Sequence, residues 1–453
     1  MPAKPLSLAL PRGMRIFTII WFGQLISTLG SGLSGFSLGV RVYDASRSTT
    51  LFAVSLLVYI LPTILMAPLA GVLADRWDRR RVMILSDSFA GVATLGVFLV
   101  VLSGELQIWQ IYIAQFLLST ANTFQWPAYA AATSQLVPKE HLGRAAGMSQ
   151  VGEAISSLIS PAVAGVLYVT AGLKLILSID ILTYFFALAT LLLVRFPKPM
   201  TTEEGSMGQG GFWKEAIYGW HYIRQRPGLL HLQLVWAAIN FTASVSIALF
   251  TPMILEITTP DVLGYITSIA SAGFLLGTLV LSAWGGPQRK IFGTYAFETL
   301  IGLSFVITGL SASIPLVTAG YLLGLFAMPI TNGCTQAIWL RKVAQDVQGR
   351  VFAVRRMIAF SMIPLAYLAS GPLSEKVFIP LLVEGGPLAD SLGRIFGTGP
   401  GRGIGLMYSF CGLLYMLIAL IVIIDPRIRR MELELPDPVA RAQENGLTVS
   451  DPA

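Results

Sequence analysis

Charge is what this sequence has least of. Of its 453 residues only 12% are Asp, Glu, Lys or Arg, while 54% are hydrophobic, and the mean hydropathy is +0.70. That balance excludes a soluble globule, and it excludes intrinsic disorder, which needs low hydrophobicity and many charges. Cysteine is nearly missing: Cys334 and Cys411, each inside an apolar run, cannot staple a disulfide scaffold and say nothing of redox compartment. The three histidines, His141, His221 and His231, are scattered, and no Cys or carboxylate joins them at ligand spacing, so neither a metal nor a cofactor is expected. No Ser-His-Asp set or carboxylate pair can be assembled, which argues against an enzyme. Two glycine runs are decoys. GSGLSG (Gly30 to Gly35) matches a dinucleotide pattern but lies within a charge-free run instead of between strand and helix, and tight helix packing explains it. GTGPGRG (Gly397 to Gly403) lacks the Gly-Lys-Ser/Thr ending of a phosphate loop.

What is present is long apolar runs. At about 20 residues per crossing, the stretches 16–40, 48–74, 88–104, 106–138, 154–173, 175–194, 227–255, 262–288, 299–340, 357–374 and 403–424 predict twelve transmembrane helices, with 299–340 broken near Ser313 and Pro315. The runs are continuously apolar instead of alternating, so helices, not barrel strands, satisfy the backbone in lipid. The first run is too long for a cleavable signal segment and is expected to remain as a helix.

Lys and Arg placement gives the orientation. With the N-terminus inside, 25 of the 31 basic residues fall on inner segments and 6 on outer ones: Arg41, Arg47, Lys174, Lys376, Arg394 and Arg402. The positive-inside rule then puts both termini in the cytoplasm. It also accounts for the net charge of +7 without nucleic acid.

Two inner loops rhyme. QLVPKEHLGR ends at Arg144 and RKVAQDVQGR at Arg350, and the basic pair Arg80 and Arg81 is echoed at Arg289 and Lys290. Near-equal offsets in the same membrane direction imply two parallel six-helix repeats related by an axis along the membrane normal. The predicted division is 1–194 for the first half, 195–226 for a cytoplasmic linker, 227–424 for the second half and 425–453 for a cytoplasmic tail. Within the linker, FWKEAIYGWHYIRQRP from Phe212 reads as an interfacial helix.

The sharpest motif is GVLADRWDRRR, Gly71 to Arg81, at the inner end of the second span. It resembles the GxxxDRxGRR-type signature of the major facilitator superfamily, departing from it at Asp78, where glycine is usual. WFGQLIS near Gln24, VYD at Tyr43, FQWPAYAA around Pro127 and QAIWLRKVAQDVQGRVFAVRR from Gln336 extend the likeness, as does the long outer loop from Val377. Together they are similar to the branch containing the enterobactin exporter and related bacterial secretion and efflux transporters. The resemblance implies an all-α membrane protein of the major facilitator fold. It also implies that Gly71 admits a neighbouring helix, that Asp75 caps a helix end, and that Arg76, Arg79 and Arg80 hold the cytoplasmic gate. SPAVAG, Ser160 to Gly165, partly matches the GPxxGG motif of drug exporters, with Pro161 and Gly165 suited to kinking and close packing. The arginine that many of those exporters carry in helix 4 is absent, and Gln115 lies near its place.

Intramembrane acids are functional candidates by default. Asp180, Glu153 and Glu298 are expected proton-coupling residues, with structural pairing or snorkelling as the alternative. Asp44 and Glu256 read as interfacial. Gln24, Asn122, Asn240 and Asn332 fall in spans 1, 4, 7 and 10, which line the cavity in the superfamily. With Gln125 and Trp126 they are the expected substrate contacts, glue between helices being the bland alternative. The expected function is proton-coupled export of a small amphiphilic molecule (a siderophore, a peptide-like secondary metabolite or a drug) by alternating access. Uptake of a nutrient is the alternative within transport, and a membrane-embedded enzyme or receptor the one outside it. The expected partners are substrate, protons and lipid, and the expected setting is a monomer in a bacterial inner membrane.

Overall fold

The computed structural model describes residues 12–104, 106–194, 218, 220–343 and 347–424. Among them there is no strand. Twelve helices of 21 residues or more account for most of the described chain: α1 Arg12–Ser46, α2 Thr49–Arg76, α3 Arg79–Ser103, α4 Ile108–Leu136, α5 Leu142–Thr170, α6 Gly172–Leu193, α7 Pro227–Leu255, α8 Pro260–Trp284, α9 Lys290–Leu310, α10 Ile314–Lys342, α11 Gln348–Leu373 and α12 Pro400–Ile424. Their lengths follow from the solvent: in a bilayer core every backbone group must be bonded within the helix, so each apolar run stays helical from one interface to the other. Second-half helices start on proline, whose missing N–H costs nothing in a first turn: Pro227 in α7, Pro260 in α8, Pro315 in α10 and Pro400 in α12. The predicted break near Ser313 falls between α9 and α10.

Eleven helices are long and apolar enough to cross a membrane. The exception is α4, whose 29 residues include Gln110, Gln115, Asn122, Gln125 and Gln135. It is the helix with most of the residues expected to meet substrate.

The described residues form two compact units. The first comprises those within 1–47, 54–202 and 258–268, the second those within 48–53, 203–257 and 269–453. In the first, α1 packs against α5 and α6, and α3 against α4 and α6. In the second, α7 packs against α11 and α12, and α9 against α10 and α12. Adding six to each helix number turns the first set into the second, so the repeat read from two loops extends to the packing.

Small residues set the crossings. A Cβ on Gly302 would lie 2.8 Å from the Gly412 carbonyl, and one on Gly405 2.6 Å from that of Gly309, so α9 and α12 touch through their backbones. In the GSGLSG run, Gly30 lies against Thr183 of α6 and Gly32 against Ser160 of α5, as a packing role requires. In SPAVAG, a Cβ on Gly165 would meet the Pro260 carbonyl at 2.5 Å, and one on Gly264 the Pro161 carbonyl at 2.2 Å. Pro161 and Gly165 thus admit the start of α8. At Gly71 a Cβ would meet nothing within 4 Å among the described residues.

Arg402, counted above among outer-loop cations, is buried at the start of α12. It donates to the carbonyls of Phe396 and Gly309, which end a short helix and α9, and so places a cation at two helix C-termini. Of the predicted interfacial helix, residues 218 and 220–224 are helical with Ile223 buried, and residues 225–226 lead into α7; residues 212–217 and 219 lie outside the described residues, as does the tail 425–453.

Candidate functional site

The most polar point inside the first unit is a carboxyl that the sequence reading passed over. Asp87, on α3, is 6% exposed. Gln24 of α1 donates to its Oδ2 at 3.0 Å, and Gln125 of α4 donates to its Oδ1 at 3.0 Å and to Gln24 Oε1 at 3.0 Å. Three helices are tied by one acid and two amides. Gln125 Oε1 is buried with no hydrogen-bond partner, leaving the triad one spare acceptor. No cation lies within ion-pair range of Asp87 among the described residues; the ion pair there is Asp44–Arg47, exposed at the end of α1.

A polar file continues along α3. Tyr184 of α6 lies over Gly91, and its hydroxyl meets Ser31 of α1 at 3.0 Å. Beyond it Thr94 donates to Asp180 Oδ2 at 3.4 Å, and Asp180 is 0% exposed. Asp87 and Thr94 are seven residues apart, about 10 Å of helix rise. Two buried acids therefore lie about two turns apart in one unit, with the Tyr184 and Ser31 hydroxyls between them.

The repeat supplies a twin. Asp87 is the ninth residue of α3 and Glu298 the ninth of α9; Gln125 is the eighteenth of α4 and Thr331 the eighteenth of α10. Glu298, 1% exposed, takes a bond from the Tyr415 hydroxyl of α12, while the Thr331 hydroxyl donates to the Met328 carbonyl of its own helix. Tyr415 and Tyr295 belong to the apolar core of the second unit. One acid is clasped by amides on half-buried side chains, the other sealed among tyrosines.

The remaining candidates separate. Gln24 and Gln125 belong to the triad and Asp180 to the file. Gln115 is buried on α4 with its Oε1 unpartnered. Asn122 and Trp126 are exposed on α4. Asn240 is half-buried on α7 and Asn332 exposed on α10, both in the second unit. Glu153 is exposed on α5, whereas Asp180 and Glu298 are enclosed. Asp87 bounds the run 88–104 just as Glu153 bounds 154–173 and Glu298 bounds 299–340, and the sequence reading named only the latter two. Counting from the helix starts Arg79 of α3 and Lys290 of α9 carries Glu298 back to Asp87.

In the loop Gly71 to Arg81, Asp78 replaces the usual glycine without strain: its φ is −59° and its side chain accepts from the Arg81 N–H at 2.9 Å, capping α3. Arg79 donates to Gln135 at the end of α4, and Arg80 to the carbonyls of Leu191 and Leu192, where α6 runs out of N–H partners. The side chains of Asp75 and Arg76 lie outside the described ones.

Known proteins place these features. Residues 20–367 match the family profile of the Major Facilitator Superfamily. The chain is 30% identical over 366 residues to macrolide efflux protein A of Streptococcus pyogenes, covering 80% of this chain and 90% of that protein. It is 24% identical over 346 residues to the enterobactin exporter EntS of Shigella boydii serotype 4 (strain Sb227), covering 76% and 78%. In fold it is similar to the inward-facing, unoccupied structure of a bacterial homologue of the human lysosomal transporter Spinster, with a TM-score of 0.69 at 13% identity over 95% of this chain and 100% of that one. With a family match over most of its length and twelve long helices repeated six and six, this chain is a multi-pass membrane transporter of the Major Facilitator Superfamily.

Proposed function

We propose that this transporter is a proton-driven exporter of a small amphiphilic molecule (a siderophore, a peptide-like metabolite or a drug). It works as a monomer by alternating access in a bacterial inner membrane, with both termini cytoplasmic and the halves 1–194 and 227–424 as its moving parts. The observation that carries this reading is the Asp87 triad. A buried carboxyl with neutral partners is a group whose charge is compensated by a proton or a cationic ligand. The triad accommodates both forms. With a carboxylate, the two amides donate to it. With a carboxylic acid, the unused Gln125 oxygen turns to accept its proton. Tyr184, Ser31 and Asp180 extend the path along α3, while Gln24 and Gln125 couple the acid to α1 and α4, helices that line the cavity in this superfamily. Asn122 and Trp126 on α4 are the nearest candidates in sequence to greet substrate. Asn332 on α10 and Asn240 on α7, the repeats of α4 and α1, are the candidates of the second half.

Export is favoured over uptake by the relatives, which are named for macrolide efflux and enterobactin export. The test is accumulation of labelled erythromycin, and separately of enterobactin, in cells with and without the protein, each with and without a protonophore. Lower accumulation in the expressing cells, abolished by the protonophore and by Asp87→Asn at equal protein level, is the expected result. Higher accumulation in the expressing cells reverses the direction. Protonophore-insensitive export removes the proton.

A further inference from the structure

Of the two buried acids in the first unit, Asp180 is the less satisfied. Asp87 has an amide nitrogen donating at 3.0 Å to each oxygen. Asp180 has one hydroxyl at 3.4 Å on Oδ2, and its Oδ1 is buried with no hydrogen-bond partner. A carboxyl that is 0% exposed and left this open calls for a compensating group. No cationic side chain lies within ion-pair range of it among the described residues. What surrounds it is hydroxyl. Thr94 of α3 is on Oδ2, and α1 passes over Oδ1 at Gly30, where a Cβ would lie 3.0 Å from that oxygen. One turn further on the same face of α1, Ser34 lies beside the carboxyl, 1% exposed, yet its Oγ makes no hydrogen bond. Ser37, 0% exposed, repeats the pattern about a turn nearer the α1 end at Ser46, again with an unpartnered Oγ. Where α1, α3 and α6 meet there are thus three buried oxygens without partners, one of them on a carboxyl.

We infer that Asp180, Thr94 and Ser34 form a binding site for one sodium ion, which ties α1, α3 and α6 together. The chemistry selects the cation. A hard cation takes oxygen ligands, so the spacing of His and Cys that argues against a metal says nothing about it. One carboxylate balances one positive charge, and no group of three His, Cys, Asp or Glu converges among the described residues, which sets a monovalent ion above calcium or magnesium. The helices are pressed together here, a Cβ on Gly30 falling 2.1 Å from the Thr183 Oγ1, and that favours sodium over the larger potassium. Hydroxyls suit a cation as amide N–H groups do not. Ser34 and Thr94 can each turn a lone pair inward, whereas Gln24 and Gln125 aim N–H groups at Asp87. The polar file then carries a proton at Asp87 and a sodium ion at Asp180, and Ser37 offers the ion a further oxygen toward the α1 end. The site lies wholly within the first unit. It depends neither on the direction of transport nor on the proton at Asp87.

The test needs no substrate. The full chain is purified in detergent, and its unfolding temperature is followed as sodium replaces choline at constant ionic strength. Sodium is expected to raise that temperature by about 4 °C at saturation, and potassium to raise it far less. Radiolabelled sodium should bind the same protein with saturation at one ion per chain, displaced by unlabelled sodium but not by choline. Asp180→Asn is expected to abolish both responses, and Ser34→Ala with Thr94→Val to weaken sodium affinity about tenfold. Asp87→Asn should keep the sodium response. The milder Ser34 and Thr94 changes, with binding to the wild type, carry the test if Asp180→Asn does not fold. Wild-type protein that binds no sodium overturns the site, and a carboxyl that merely keeps a proton gives that result. A sodium response that survives Asp180→Asn, or is lost in Asp87→Asn alone, overturns it too. Sodium binding lost in Asp180→Asn together with protonophore-insensitive export leaves the site standing and removes the proton reading. Proton-driven export with no sodium response does the reverse.

Discussion

At the residue scale the account turns on Asp87. Asp87→Asn keeps the shape of the triad and removes the titrating group. It is expected to slow gradient-driven transport by at least about tenfold, a loss of about 1.4 kcal/mol or more, with normal protein level in membrane blots. Glu298→Gln, at the equivalent place of the second unit, is expected to act on stability instead, because its partners Tyr415 and Tyr295 are packing residues. Thermal unfolding in detergent should separate the two variants. Transport lost equally in both would deny the asymmetry. Asp78 offers a second, independent check. Asp78→Ala removes the cap of α3 and should cost about 1 kcal/mol of stability, whereas a glycine there should cost only a few tenths. Both are read as shifts in unfolding temperature.

At the element scale, most of the fold is legible in the sequence because lipid leaves few options: apolar runs of sufficient length become helices, and proline, glycine and basic residues mark their ends. The twelve runs map onto α1 to α12, and the echo at Arg144 and Arg350 correctly pointed to a sixfold shift in helix partners. The site was less legible, for a physical reason. An acid near a span end looks like an interfacial residue in one dimension, and only the convergence of α1, α3 and α4 reveals that Asp87 is enclosed. Glu153, which bounds its run in the same way, is exposed, because position along a helix says nothing about the face it occupies. The glycine contacts make an element-scale prediction. Gly412→Leu must separate two backbones now touching at Gly302, and should lower stability by about 2 kcal/mol or more. The same change at Gly71, where a Cβ would meet nothing within 4 Å among the described residues, should leave stability nearly unchanged. Equal losses at both positions would contradict the packing described for α9 and α12.

At the scale of the whole molecule, the features combine into a machine with a division of labour between its repeats. The first holds the amide-clasped acid and the polar file, the second the sealed acid. Arg79 and Arg80 fasten the start of α3 to the ends of α4 and α6 inside the first unit, so the loop they occupy stiffens that unit as a body that can move as one. Arg80→Gln is expected to lower the unfolding temperature through loss of the charge at the α6 terminus, by about 1 kcal/mol. The central claim is that a proton on Asp87 drives substrate against its gradient. Purified protein in proteoliposomes, with an imposed pH gradient and labelled erythromycin or enterobactin, tests it most directly. The account predicts accumulation that collapses when the gradient is dissipated, and an Asp87→Asn variant that still exchanges labelled for unlabelled substrate but no longer accumulates it. Accumulation by Asp87→Asn at the wild-type rate, or wild-type accumulation indifferent to the pH gradient, would contradict it.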